Sequence, residues 1–351
     1  MEIDLEHLRK PCTGGRAHEI SVKGVWVESG ALRRLFDMLT EGELREFTMP
    51  VIVWDDNVCE TEEERMEDLL GICQEICLTA QDLRADFRGL EILEETIPEE
   101  ADLLLAVGGG TIQELCRYLS FQRRIPYVAV PTAASGNHLL SSVALLTREG
   151  APWPAKAQMP DYVFADTDIF AKAPYRLTAA GISALMGEYL HLADWKLAYP
   201  VENREVCQEL WEMETKAIRE VTRHLDDIRE QEEDSCQRLM TALLLASLFA
   251  EASGRNTTAY WGRLFPDFYE SFYGEQIGMA VLKAEEKYRE AGRRSRSERL
   301  EEVLEDIPSA ERLEEMLQEG GCRIDRGWDD QEKMENRLAY FTESPLSFLK
   351  A

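Results

Sequence analysis

Short apolar runs alternate with amphipathic stretches in the first half of the chain. Runs of strand length lie at 20–30, 50–57, 103–107, 125–136, 143–146 and 162–165, and helical periodicity covers 31–39, 61–77 and 111–122. Strands that alternate with helices at this spacing are typical of a parallel sheet covered by helices. The pattern therefore predicts an α/β domain over residues 1–168.

The pattern changes close to Asp168. No strand-like run follows, and helical periodicity covers 178–199, 206–226, 234–252 and 274–291. This predicts an all-helical domain over residues 169–351. Because no low-complexity linker separates the two parts, we expect them to pack closely around a cleft.

Three glycines follow the third of these apolar runs. Leu103 to Val107 leads into Gly108, Gly109 and Gly110, and a helical pattern starts behind them, with Thr111 and Glu114 at capping-box spacing. Glycines let the backbone approach a phosphate, and a helix N-terminus offers unpaired N–H groups and a positive dipole end. The stretch indicates a phosphate-binding turn. A tight strand-to-helix turn without a ligand is the alternative.

Short polar side chains end the run at 50–57. Asp55, Asp56 and Asn57 come directly after a β-branched segment. In an open α/β sheet, acids at the carboxyl end of a strand commonly meet the ribose or base of a nucleotide. These residues are therefore candidates for the same nucleotide as the glycine turn.

Charge and composition limit the classes of partner that the protein is expected to bind. Lys and Arg number 39 against 67 Asp and Glu, a formal net charge of -28, which disfavours nucleic acid and anionic lipid. The longest apolar run, Met240 to Ala250, is about half of what a membrane span needs, and the N-terminus has no secretory pattern. Eight scattered cysteines indicate reduced thiols and no zinc pattern, with Cys73 and Cys77 one helical turn apart as packing residues. We expect a cytoplasmic protein.

Six segments, in chain order, carry a resemblance to a known family. They are Ala106-Val-Gly-Gly-Gly-Thr-Ile112, Ile125-Pro-Tyr-Val-Ala-Val-Pro-Thr-Ala-Ala-Ser135, Ala165-Asp166 with Ala173-Pro174, Leu177-Thr-Ala-Ala-Gly181, Ala193-Asp-Trp-Lys-Leu197 and Gly274-Glu-Gln-Ile-Gly278. The chain resembles the dehydroquinate synthase-like, iron-type alcohol dehydrogenase superfamily, and most closely its sn-glycerol-1-phosphate dehydrogenase branch. The resemblance implies a Rossmann-like N-terminal domain, a helical C-terminal domain and NAD or NADP in the cleft between them.

The resemblance also implies roles for particular residues. Asp55, Asp56 or Asn57 stands where the family meets the adenosine end of the cofactor. Gly108, Gly109, Gly110 and Thr111 stand at the pyrophosphate, and Thr132 and Ser135 at the nicotinamide side. The inherited reaction is NAD(P)-dependent reduction of dihydroxyacetone phosphate or a similar small polyol phosphate. We thus expect a small-molecule substrate and no nucleic-acid partner, with a homo-oligomer left open.

The family's metal site is not retained in the sequence. Ala184, Thr257 and Tyr273 occupy the positions of its three ligands, and alanine has no lone pair while Thr and neutral Tyr bind divalent ions poorly. Asn137 stands for a substrate-side aspartate, and Glu188 for a lysine near the cleft. The family's zinc, nickel or iron is therefore not expected here. The aromatic segment 260–273 is expected to fill the vacated space, or else to line an apolar pocket.

Two polar residues share a helix face near these positions. On a continuous helix over 178–199, positions 184, 188 and 191 fall within about 60° of one another, which puts Glu188 and His191 on the ligand face. With His138, which follows the 125–136 strand, they form a hypothetical remodelled acid/base site. The alternative is an ordinary polar pair and a loop histidine.

Three functions remain open from the sequence. The first is an NAD(P)-dependent dehydrogenase of the glycerol-1-phosphate type. The second is a non-catalytic nucleotide-binding homologue that acts as a regulatory or partner subunit. The third is a metal-independent enzyme with a changed substrate, in which Glu188 and His191 carry the acid/base chemistry.

Overall fold

The structure, a computed structural model, describes residues 3, 5–11, 18–149, 151–202, 207–253, 271–295 and 298–324. The strands are β1 Gly24–Glu28, β2 Pro50–Asp55, β3 Gln74–Leu78, β4 Leu103–Gly108, β5 Tyr127–Pro131, β6 Val143–Arg148, β7 Ala151–Lys156 and β8 Tyr162–Asp166. The helices are α1 Leu5–Arg9, α2 Ala31–Thr40, α3 Asp56–Leu70, α4 Phe87–Thr96, α5 Gly110–Arg123, α6 Thr167–Phe170, α7 Tyr175–Met186, α8 Glu188–Glu202, α9 Gln208–Thr222, α10 Leu225–Arg229, α11 Glu233–Ser253, α12 Tyr273–Ser295, α13 Glu298–Glu305 and α14 Ala310–Glu319, with a 3-10 turn at Ala80–Asp82.

Six strands form one parallel sheet. Its order is β1-β8-β5-β4-β2-β3, and β6 and β7 make a separate antiparallel pair. The central strands are apolar on both faces, as expected when helices cover both sides of a sheet. No strand follows Asp166 among the described residues. The predicted parallel α/β part and helical part are confirmed, while the domain limits at 168 and 169 stay a prediction.

The two faces of the sheet bury different side chains. Alternate strand residues such as Ile52 and Leu105 pack with α2 and α3 in one apolar cluster. Their neighbours Val53 and Leu104 pack with α4 and α5 in another, which continues without a break into the helices after Asp166. This alternation follows from the period of two in a strand. The continuous second cluster holds the α/β and helical parts together.

Some local predictions are wrong. The predicted helix at 61–77 ends at Leu70, and a short edge strand, β3, follows, so Cys73 and Cys77 do not share a helix. The structure also adds α4 and β7, which no pattern indicated. The predicted helix at 206–226 is divided into α9 and α10.

In the described part of the chain, every helix is too short or too polar to cross a bilayer.

Candidate functional site

The carboxyl ends of β2, β4 and β5 lie side by side. Val53 pairs with Ala106, and Gly108 pairs with Pro131, so residues that follow these strands share one edge of the sheet. From β2 the chain moves through α3 to β3, and from β4 it moves through α5 to β5, in the opposite direction along the sheet. The crevice between β2 and β4 is thus the switch point at which open α/β sheets bind ligands.

The glycine turn lies at this switch point. Gly109 is the N-cap of α5, and no side chain caps this end of the helix. Within the described ranges, a Cβ placed on Gly109 or Gly110 would meet no atom within 4 Å, which leaves the space above the turn open. A helix N-terminus with open space in front of it fits a phosphate. Thr111 lies half-buried in the same turn.

The predicted capping box is wrong. Glu114 does not turn back to the helix end but points into the protein, where Arg117 Nη1 donates to its Oε1 at 2.6 Å and the backbone N–H of Leu145 donates to its Oε2 at 2.6 Å. His138 Nδ1 lies 3.2 Å from the same Oε1. Burial acts to raise the pKa of Glu114, but Arg117, His138 and the Leu145 N–H outweigh it and lower the pKa to about 2.

Arg117 ties this carboxylate to the loop after β5. Its side chain is fully buried, and its Nη2 donates to the carbonyls of His138 and Leu139 at 2.7 and 2.8 Å. Sequence reasoning missed Arg117, although its i,i+3 spacing from Glu114 on a predicted helix was an available signal. The network fixes the segment that carries Thr132 and Ser135, which lie half-buried at the same sheet edge as the glycine turn.

At the end of β2, two predicted cofactor residues have structural partners. Asp55 caps α3 by accepting from Val58 N at 3.2 Å, and Asp56 accepts from Ala80 N at 2.9 Å. Burial raises the pKa of Asp55. Asn57 is exposed in the first turn of α3. All three lie at the sheet edge that the glycine turn shares, and their contact with a cofactor stays a prediction.

Two glycines of the family-like segments serve close packing. A Cβ on Gly181 of α7 would lie 1.9 Å from the carbonyl oxygen of Ala134, and one on Gly274 of α12 would lie 2.0 Å from that of Ala180. No side chain fits at such distances. Gly181 therefore lets α7 pack closely against the loop after β5. Gly274 lets α12 pack closely against α7, next to Ser135.

A hydrogen-bonded polar unit is buried behind that loop. His191 Nδ1 lies 2.9 Å from Glu188 Oε2, and Asn137 Nδ2 donates to Glu188 Oε1 at 2.5 Å. His191 Nε2 lies 3.0 Å from Ser253 Oγ. Glu188 and His191 are both 0% exposed. The structure thus brings together Glu188 and His191, whereas His138, one residue after Asn137, contacts Glu114 and Arg117 instead.

The helix that carries these residues is interrupted. α7 ends at Met186 and α8 begins at Glu188, with Gly187 N donating to the carbonyl of Ala184 at 3.1 Å. The angular argument that related Ala184 to Glu188 on one continuous helix is therefore wrong. The i,i+3 relation of Glu188 to His191 lies within α8 and is confirmed as a contact. Their catalytic role stays a prediction.

Glu214 on α9 belongs to the same region and was not predicted. It is 1% exposed, and neither carboxyl oxygen has a hydrogen-bond partner among the described residues. Burial, and secondly the charge of Glu188, raise its pKa well above the ordinary value. The sequence offered a signal that was not used, because Glu214 lies four residues from Leu210 and four from Ile218 and so falls on the apolar face of α9.

The residues that the resemblance places at the family's metal positions offer few ligands for a divalent ion. Ala184 presents a methyl group in the apolar core, and Tyr273 lies half-buried at the start of α12. Thr257 and most of the aromatic segment 260–273 lie outside the described residues. Nowhere in the described ranges do three or more His, Cys, Asp or Glu side chains form a group that suits a metal ion.

Comparison with known sequences agrees with this architecture. The family model described as iron-containing alcohol dehydrogenase matches residues 26–174. A glycerol-1-phosphate dehydrogenase [NAD(P)+] from Geobacillus thermodenitrificans is 28% identical over 90% of this chain and 87% of its own length. One from Thermoplasma acidophilum is 32% identical over 67% of this chain and 66% of its own length.

Solved structures share the fold. An iron-containing alcohol dehydrogenase from Thermotoga maritima has a TM-score of 0.71 at 14% identity, over 95% of this chain and 97% of that chain. A sulfoacetaldehyde reductase from Bifidobacterium kashiwanohense, in complex with NAD+, has a TM-score of 0.70 at 14% identity, over 95% and 92%. With the sequence comparisons, the chain belongs to the glycerol-1-phosphate dehydrogenase family of the iron-containing alcohol dehydrogenases.

Proposed function

We propose that the protein binds NAD(P) at the Gly108–Gly110 turn and reduces dihydroxyacetone phosphate or a similar small polyol phosphate, without a metal ion at the family's position. The observation that carries this proposal is the open, uncapped N-terminus of α5 at the switch point of the sheet. Relatives over most of the chain are glycerol-1-phosphate dehydrogenases that use NAD(P)+, which supports the same cofactor and substrate class here.

The residues suited to hold the cofactor come from three adjacent strand ends. Gly109, Gly110 and the first turn of α5 suit the pyrophosphate, the residues 55–57 suit the adenosine end, and Thr132 and Ser135 suit the nicotinamide side. When bound, the nicotinamide supplies the hydride. The chain must then supply a proton to the oxygen that the reduction leaves on the substrate.

His191 is the proton donor that we propose. Glu188 accepts at both oxygens, from Asn137 and from His191 Nδ1, which assigns a hydrogen to Nδ1 and leaves Nε2 as the exchanging nitrogen. Nε2 must therefore take up a proton from solvent before it passes one to the substrate oxygen, and that transfer returns the imidazole to its Nδ1–H form. Because Nε2 contacts Ser253 Oγ, both transfers require this contact to open. Asn137 connects the unit to the loop after β5. The predicted site residue His138 has a supporting role in this scheme, through Arg117 and Glu114.

Titration with NADH and with NADPH, followed by nucleotide fluorescence, tests the cofactor site. Gly109→Val adds a side chain whose Cβ meets no described atom within 4 Å, so we expect it to obstruct a ligand more than the fold. We expect its dissociation constant to rise at least about ten-fold. Gly71→Ala, at the far end of α3, is the matched control and should bind as the wild type does. Equal affinity for both variants would refute a phosphate at the glycine turn.

Turnover of dihydroxyacetone phosphate tests the chemistry. We expect activity that is unchanged by a chelator or by added zinc or nickel. His191→Asn should abolish this activity, whereas His224→Asn, at a half-buried position on another helix end, should retain it. Stimulation by metal would mean that a divalent ion binds after all and that the metal-free proposal is wrong.

The burial of His191 favours a second candidate. With His191 and Glu188 both at 0% exposure, the pair has no access to a ligand in this structure. A nucleotide-binding homologue without catalysis, acting as a regulatory or partner subunit, would have this arrangement. Tight NADH binding with no turnover of any small polyol phosphate would support it over the first.

A further inference from the structure

Glu188 on α8 and Glu214 on α9 are buried carboxyl groups on two helices that contact each other. Glu188 is 0% exposed and Glu214 is 1% exposed. Glu188 has two hydrogen-bond partners, Asn137 and His191, whereas both oxygens of Glu214 have none among the described residues. A buried carboxylate without a donor is strongly disfavoured relative to the neutral acid. A negative charge is therefore stabilised better on Glu188 than on Glu214.

Among the residues that the structure describes, no cation compensates a second negative charge there. α9 packs against α7, α8, α10 and α11, and in the described chain Glu188 is the one group whose charge acts on Glu214. The remaining charged groups that the structure describes on these helices are exposed, half-buried or paired elsewhere. They are Arg176 with Glu275, His191 with Glu188 and Ser253, Asp194 with Tyr288, Lys196 with Asp306, Glu251 with Ser142, Asp226, Asp227, Arg229, Glu233, Asp234 and Arg238, and on α9 itself Glu209, Glu212, Lys216, Arg219 and Glu220.

We propose that Glu188 and Glu214 hold one proton between them at neutral pH, that Glu214 carries it, and that Glu214 thereby acts as a positioning residue for His191. With the proton on Glu214, the negative charge is confined to Glu188, which orients the imidazole through Nδ1. The role in positioning rests on the proposed function of His191, but the location of the proton does not.

Rising pH removes the proton from Glu214. The O–H bond of Glu214 breaks, the proton goes to solvent, and a second carboxylate is left beside Glu188. Burial and the Glu188 charge both oppose this ionisation and hold the pKa of Glu214 well above its ordinary 4.5. The folded protein therefore binds one proton that the unfolded chain has released, over the pH range between 4.5 and the folded value.

Infrared spectroscopy of the full chain tests where the proton is. At pH 7 the wild type should show the C=O stretch of a protonated carboxylic acid that Glu214→Gln lacks. Glu212→Gln, an exposed position on the same helix, is the matched control and should keep the band. In Glu188→Gln the band should disappear at a lower pH than in the wild type, because one opposing charge is gone. A band that survives Glu214→Gln, or a midpoint that Glu188→Gln leaves unchanged, overturns the proposal.

Stability against pH gives a second readout that needs no activity. Between 4.5 and the folded pKa of Glu214, the folding equilibrium constant of the wild type should fall about ten-fold per pH unit relative to that of Glu214→Gln. Parallel curves would overturn the proposal. In turnover assays, Glu214→Gln should keep the shape of the pH profile, since glutamine mimics the neutral acid. In infrared spectra, Glu214→Asp should show the pH-dependent carboxylic acid band that Glu214→Gln lacks. Absence of turnover in the wild type would refute the proposed function. The infrared band and the pH dependence of stability would still test the protonation of Glu214.

Discussion

Replacing Glu114 with glutamine tests the buried network that fixes the loop after β5. In the wild type the carboxylate compensates Arg117, which has 0% of its side chain exposed. Glutamine keeps the size of the side chain but leaves the guanidinium buried without an anion. Removing one partner of a buried ion pair usually costs about 3–5 kcal/mol, because an uncompensated charge remains. We expect a loss of that size in the free energy of unfolding.

The lowered pKa of Glu114 predicts a loss of similar size. The pKa falls from the ordinary 4.5 to about 2 in the folded protein. Each pKa unit corresponds to about 1.4 kcal/mol, so the ionised carboxylate contributes about 3 kcal/mol at neutral pH. Because the folded value is the lower one, this contribution is complete above 4.5 and is lost as the pH falls toward 2. Glu114→Gln should lack this acid-dependent part of the curve.

Urea unfolding at pH 7 and at pH 3 measures both effects. Glu315→Gln is the control, since Glu315 also pairs with an arginine at i,i+3 spacing, Arg312, but with 61% of its side chain exposed. An exposed pair contributes at most about 1 kcal/mol. If Glu114→Gln loses no more stability than Glu315→Gln at pH 7, the network does not hold the loop as we describe. Weaker NADH binding by Glu114→Gln alone would link the network to the cofactor site.

Three further substitutions follow from the same geometry. Ala184→Asp places a carboxylate in the apolar core and should lower the free energy of unfolding by about 3 kcal/mol or more, measured by urea titration against Ala184→Ser. A gain of stability on adding zinc would show that an ion can bind at this position. Gly181→Ala forces a Cβ to within 1.9 Å of the Ala134 carbonyl and should weaken both stability and NADH binding, whereas Gly71→Ala, with its nearest atom at 3.4 Å, should change neither. Ser253→Ala removes the partner of His191 Nε2 and should cost about 1 kcal/mol in stability while raising turnover, and unchanged turnover would argue against Nε2 as the exchanging nitrogen.

The sheet and the glycine turn could be predicted because their signals are local. β4 is a continuous apolar run that ends in three glycines, and its neighbours have similar runs, so strand, turn and helix follow from a few residues each. The edge strand β3 was missed because three of its five residues are exposed and polar or small. β7 was missed because two prolines interrupt its short sequence. Neither strand has the continuous apolar pattern that identifies a buried one.

The buried acids were harder to interpret, because their surroundings come from distant segments. Glu114 has the spacing of a capping box, yet its partners are Arg117 and residues 138 and 145, which the fold brings over α5. Glu214 lies four residues from both Leu210 and Ile218, on the apolar face of α9, and that face becomes buried when α7, α8 and α11 pack against it. Spacing along a helix indicates a face but cannot say whether that face meets solvent.

The polar unit around Glu188 explains why several unusual residues occur together in this chain. Asn137 donates to one oxygen of Glu188, His191 contacts the other, and Ser253 contacts the far side of the imidazole. In a region without solvent, each of these groups would be costly without the others. A lysine at 188 would face the Asn137 amide and the His191 Nδ1–H with no acceptor to offer either. The residues at 137, 188, 191 and 253 therefore form a single interdependent site, and restoring one family residue at a time should destabilise the protein before it restores any metal chemistry.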